Sequence, residues 1–151
     1  MSTNPTVSQD RPAVDYALLV VRVIVGIIFA AHGAQKLFGV FGGTGLAATV
    51  EQMGLIGYPV VIGEFFGSVG LIVGLLCRFS AASLIVIMFG AIATVHGQNG
   101  FFLSTRGFEY NLALIGLLAP ILIAGPGKFA IGRLLPLPKG SLTGRPIAAF
   151  E

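Results

Sequence analysis

Residues 16–38 read YALLVVRVIVGIIFAAHGAQKLF. As a helix at about 1.5 Å per residue, a run of this length crosses a hydrocarbon core of about 30 Å. Three cationic or titratable side chains interrupt it: Arg22, and then His32 and Lys36 four residues apart in its last third. Arg22, Phe29 and Lys36 recur at sevens, as do Val25 and His32. These positions share one helical stripe. A charge facing lipid costs several kcal/mol, so the stripe must face other helices. The run therefore predicts a span packed inside a bundle, with polar groups turned inward.

The rest of the chain agrees with that solvent. Of 151 residues, 55% are hydrophobic and 10% charged, and mean hydropathy is +0.93. Ordinary soluble domains carry about 25% charged residues. Three more apolar segments, at 58–77, 79–97 and 109–125, each approach the length of a bilayer-spanning helix. The expected fold is all-α: an integral membrane four-helix bundle with spans at 16–38, 58–77, 79–97 and 109–125. Its domains read as a polar N-terminal tail at 1–15, a transmembrane domain at 16–127 and a basic, Pro-rich, irregular tail at 128–151. The first span reads as a retained anchor, because its apolar core exceeds a signal-peptide h-region and its start is not strongly basic. Residues 45–55 read as a short interfacial helix, and Gly125-Pro126-Gly127 as the end of the last span.

The net charge of +3 and pI near 9.4 do not indicate nucleic acid, because the basic residues flank the spans rather than form a face. Arg11, Arg78, Lys128, Arg133, Lys139 and Arg145 fall on one side, and Lys36 and Arg106 on the other. The positive-inside rule then puts both termini in the cytoplasm. The lone cysteine, Cys77, excludes an intrachain disulfide and any multi-cysteine metal centre built by this chain alone. Gly63, Gly67, Gly70 and Gly74 make a smooth stripe on the second span, and Gly26, Ala30 and Gly33 one on the first. Helix packing through small residues accounts for them; a homo-oligomer seam or a bound lipid is the sharper reading.

Depth brings the remaining polar residues together. His32, Lys36, Glu64, His96, Glu109, Tyr110 and Asn111 come from four spans, yet all fall in the outer half of the bilayer. Glu64 is the one acidic residue deep in a span, and Lys36, His32 and Arg22 are its possible partners; depth favours the outer two. Arg22, on the inner half, needs a partner of its own. Two readings follow. One is a set of buried ion pairs and hydrogen bonds that fixes helix register. The other is a small-molecule pocket, since intramembrane ionisable groups are functional candidates. A quinone or quinol head group suits this chemistry. It needs a hydrogen bond at each oxygen and groups that exchange protons, which His and Glu supply. A bis-imidazole haem on His32 and His96 is disfavoured by their unequal depth, and no metal site is read.

The ordered set of Arg22, HGAQKLFG at 32–39, GEFFGSVGLIVGLLCR at 63–78, NGFF at 99–102 and GFEYNLALIGLLAPILIAGPG at 107–127 resembles the DoxX family of small prokaryotic membrane proteins. The resemblance covers about two thirds of the chain. It implies four membrane helices, the plasma membrane, and a link to terminal quinol oxidase or thiosulfate:quinone oxidoreductase complexes. It carries over no catalytic residue. The chain shows no flavin, haem or iron–sulfur motif, so the expected role is a quinone-linked subunit whose redox partner protein holds the redox centre. A non-catalytic scaffold docking a soluble redox enzyme and a small-molecule transporter are the alternatives.

Overall fold

The computed structural model describes residues 12–134. Residues 1–11 and 135–151, and with them most of both predicted tails, lie outside the described residues. The described chain is helical, in the order α1 (Pro12–Phe38), α2 (Gly45–Met53), α3 (Gly57–Val73), α4 (Cys77–Ala91) and α5 (Glu109–Ala124). Three stretches are long and apolar enough to cross a membrane: Pro12–Phe38, Gly45–Val73 and Cys77–Asn99. The fourth apolar helix, Glu109–Ala124, has 16 residues, or about 24 Å of rise. The chain is a membrane protein with lipid as its main solvent. Leu71, Leu84 and Leu118 are fully buried, while Ile27, Val86 and Ile123 are exposed, as lipid-facing side chains must be.

α1 begins at Pro12, four residues ahead of the expected start. Proline suits the first helical turn, where its missing N–H has no partner to lose, and Asp15 meets the positive end of the helix dipole. α2 is the short helix expected at 45–55, and it does not run straight into the next span. The chain turns at Gly54 (φ +66°), and Gly57 lies so near Val50 that an added Cβ would sit 3.2 Å from its Cα.

The closest backbone approach between helices is that of α1 and α3. A Cβ on Gly33 would fall 2.7 Å from the Phe65 nitrogen, and one on Gly26 2.7 Å from Ile72 Cγ1. Without a hydrophobic force between helices in lipid, such close contact is what holds them together. The α3 glycines Gly63, Gly67 and Gly70 look instead toward α4, where added Cβ atoms would meet Ile87, Leu84 and Ser80.

The C-terminal segment departs from the irregular tail expected from residue 128. α5 stops at Ala124 under Gly125 (φ +83°), and the chain then packs back on the bundle. The Lys128 N–H donates to Asp15 Oδ1 at 2.9 Å, the Phe129 ring stacks on Tyr16 at 4.9 Å, and the Gly132 N–H donates to the Gly74 carbonyl at 3.0 Å. Residues Ile131–Leu134 form a 3₁₀ turn. The reason is spatial: α1 starts where α5 ends, so Asp15 stands ready for the emerging chain.

Candidate functional site

At the opposite end of the bundle a cavity of about 210 Å³ lies between α1, α3, α4 and α5. α1 contributes Phe29, His32 and Lys36, which follow one another at intervals of three and four. α3 contributes Glu64. Lys36 Nζ donates to both carboxylate oxygens of Glu64, at 2.5 and 2.6 Å. Glu64 is almost wholly buried, and the Lys36 side chain is one-third exposed. The open choice of partner for Glu64 is thereby resolved in favour of Lys36. Glu64 takes two of the three ammonium N–H donors.

α4 contributes Met88 and Ala91, and its extension contributes His96. Cys77, Ala81, Leu84 and Met88 recur at four, three and four and form the buried face of α4. A continued α-helix would present Ala91 and then Val95. Instead the backbone widens into a π turn over Ile92–His96. One additional residue in that turn puts His96 on the inner face and leaves Val95 half exposed. The His96 Nδ1–H donates to the Arg106 carbonyl at 2.9 Å. A carbonyl only accepts, so this bond fixes the proton on Nδ1 and leaves Nε2 as an acceptor in the neutral ring.

α5 contributes Tyr110, Asn111 and Leu114. Asn111 is buried, and its Nδ2 donates to Met88 Sδ at 3.4 Å. That is a weak acceptor for a buried amide. The roof is the 100–108 loop, which supplies Leu103 and Gly107. It is closed by its own backbone: Phe108 N–H to Gly100 O at 3.1 Å, Glu109 N–H to Phe101 O at 2.8 Å and Gly107 N–H to Phe102 O at 2.9 Å. Thr105 Oγ1 donates to the Asn99 carbonyl at 2.8 Å. Phe101 stacks edge-on against Phe108, with ring centroids 5.4 Å apart.

Six of the seven polar residues expected to converge line this one cavity: His32, Lys36, Glu64, His96, Tyr110 and Asn111. Glu109 does not. It opens α5, and its Oε2 accepts the Leu103 N–H at 2.8 Å, so it ties the roof rather than facing the space beneath. His32 also departs from a fully inward placement. It shares a stripe with fully buried Val25, yet it is exposed, because the cavity rather than a neighbouring helix lies beside it. Its ring makes no hydrogen bond among the described residues. Met88, Ala91, Leu103 and Gly107 are lining residues that sequence reasoning missed; apolar side chains and a π turn leave no pattern that marks a cavity. Among the described residues no cluster of His, Cys, Asp or Glu could hold a metal ion.

Arg22 lies at the other end, buried at 2% exposure. One terminal nitrogen donates to the Phe129 carbonyl and the other to the Leu71 carbonyl at 3.5 Å. Gly74 leaves room for it: a Cβ there would overlap the guanidinium. Arg22 thus belongs to a separate network built on main-chain oxygens.

Comparison with known proteins gives three relevant similarities. Residues 17–97 match the family model described as DoxX. The chain is similar to "Inner membrane protein YqjF" of Escherichia coli (strain K12), 28% identical over 127 residues, covering 80% of this chain and 93% of that protein. It is similar to "Putative oxidoreductase CatD" of Bacillus subtilis (strain 168), 34% identical over 105 residues, covering 66% of this chain and 73% of that protein. No solved structure matches at a significant level.

Proposed function

The chain belongs to the DoxX family, and from that premise we propose that it is a quinone-linked subunit of a redox complex in the prokaryotic plasma membrane, with both termini cytoplasmic. The observation that carries this reading is the neutralised Lys36–Glu64 pair set in the wall of a mostly apolar cavity with two imidazoles and an amide. A strongly charged site would favour an anion, and a wholly apolar one would favour an acyl chain. A neutral ring bearing two oxygens suits the mixture. The name of the Bacillus subtilis relative points the same way.

The chemistry follows from the donors. The third Lys36 N–H and the Asn111 amide can donate to a quinone oxygen. His96 Nε2 can accept from the hydroxyl of the reduced ring. Reduction of a quinone takes two electrons and two protons; quinol oxidation returns them. The electrons pass to or from the redox centre of a partner protein, and imidazoles move protons readily near neutral pH. Held in fixed geometry by Arg106, His96 meets the ring oxygen without reorganising. The volume of about 210 Å³ holds a head group of one ring, and leaves an isoprenoid tail outside.

The test is equilibrium binding of a short-tailed benzoquinone to the purified protein in nanodiscs. Glu64→Gln should insert and fold yet bind the quinone at least tenfold more weakly, about 1.4 kcal/mol. Unchanged affinity would remove the cavity from the quinone reading.

A further inference from the structure

We propose that the cavity opens sideways into the bilayer, through a mouth between α1 and α5, and fills from the lipid rather than from water. This inference deepens the quinone reading by naming the ligand's route and class: an amphiphile whose tail stays in the membrane.

Four observations carry it. First, the side walls differ. α1 is locked to α3 by the backbone contact of Gly33 with Phe65. Across α4 and α5, Asn111 reaches Met88, and Leu84, Met88, Leu114 and Leu118 pack as one buried cluster. Second, the lining residues that are exposed gather on one flank: His32 on α1, Tyr110 on α5 and Leu103 on the roof. Phe29, Glu64, Met88, Asn111 and Leu114 are buried in the lining, and Lys36, Ala91 and His96 are half-buried. Third, the roof on the water side is a closed loop. Its backbone pairs with itself, Glu109 ties Leu103, and His96 ties Arg106. Fourth, the α5 flank of the mouth is apolar. Ala113 and Leu117 follow Tyr110 at helical spacings of three and seven and are exposed, which suits hydrocarbon and not water.

His32 then has a role that neither an ion pair nor a core position explains. It is a polar side chain at the boundary between lipid and cavity, six residues before the end of α1, or about 9 Å inside it. A head group sliding in from the membrane meets His32 and Tyr110 first. The hydrogen bonds they offer lower the cost of leaving the lipid interface.

The chain contains no tryptophan, so one introduced indole is a reporter without background. The experiment places Tyr110→Trp in full-length protein in nanodiscs, with Leu103→Trp as a second, independent reporter. Emission is quenched by brominated phosphatidylcholine from the membrane side and by acrylamide from water. A mouth in the bilayer gives a larger loss of emission with brominated lipid than with acrylamide for both reporters. The reverse order would overturn the proposal, because the mouth would then be wet. Adding a decyl-tailed benzoquinone separates this test from the quinone reading. Saturable quenching that follows the quinone-to-lipid ratio supports both. Quenching by brominated lipid without any saturable quinone effect keeps the mouth and removes the quinone.

Discussion

Arg22 and Lys36 stand on the same stripe of the same helix, fourteen residues apart, and the bundle treats them in opposite ways. Arg22 is sealed. Main-chain carbonyls of Leu71 and Phe129 meet it, a glycine makes room for it, and the returning C-terminal segment covers it. Lys36 is one-third exposed, is met by a carboxylate, and opens onto a cavity. A cation answered by backbone oxygens has no proton acceptor to exchange with and serves to hold segments together. A cation answered by a carboxylate beside empty space keeps an N–H for a ligand. The end where α1 starts and α5 stops is a clasp, and the opposite end holds the cavity.

Substitutions at the clasp should hurt folding most. At Gly74 (φ +80°) an added Cβ would overlap Arg22 and Ala130. Gly74→Val is therefore expected to cost on the order of 4 kcal/mol, combining left-handed strain with overpacking, read as loss of the folded fraction in a denaturant titration followed by circular dichroism. Arg22→Met should cost about 3 kcal/mol, since charged hydrogen bonds to two main-chain carbonyls are lost. Limited proteolysis should then cut near Phe129, which stays protected in the unaltered protein. Equal protection in Arg22→Met would show that the clasp does not depend on this side chain.

The cavity end should show the reverse ratio of stability to function. Glu64→Gln leaves Lys36 without its counter-charge. A fully buried orphan charge costs about 3–5 kcal/mol, but partial exposure of Lys36 reduces this to about 2 kcal/mol. Quinone binding should fall far more than that stability loss explains. The smallest effect belongs to the roof. Glu109→Gln weakens one hydrogen bond to Leu103, by about 1 kcal/mol, and should appear as faster amide exchange at Leu103 with global stability unchanged.

The clasp and the site were not equally legible in the sequence. Four spans could be read from length and hydropathy, and the seven-residue spacing of Arg22, Phe29 and Lys36 indicated an inward stripe. Depth alone grouped His32, Lys36, Glu64, His96, Tyr110 and Asn111. Depth cannot say which way a side chain turns, so it groups Glu109 with them although Glu109 ties the roof through Leu103. The π turn that brings His96 inward has no residue signature in IATVH. The partner of Arg22 was illegible for a different reason. It is a carbonyl, which every residue carries, in a segment whose basic, proline-rich composition suggested no structure.

The central claim, that one end holds the fold and the other binds a ligand, is tested most directly by a thermal-shift series with a short-tailed benzoquinone. A ligand at about 100 times its Kd stabilises by about 2.7 kcal/mol. The expected result is a rise in Tm for the unaltered protein and for Arg22→Met, each from its own baseline, and a rise cut to about half or less for Glu64→Gln, since tenfold weaker binding leaves about 1.4 kcal/mol at the same ligand concentration. An undiminished rise in Glu64→Gln would contradict the assignment of this cavity as the ligand site.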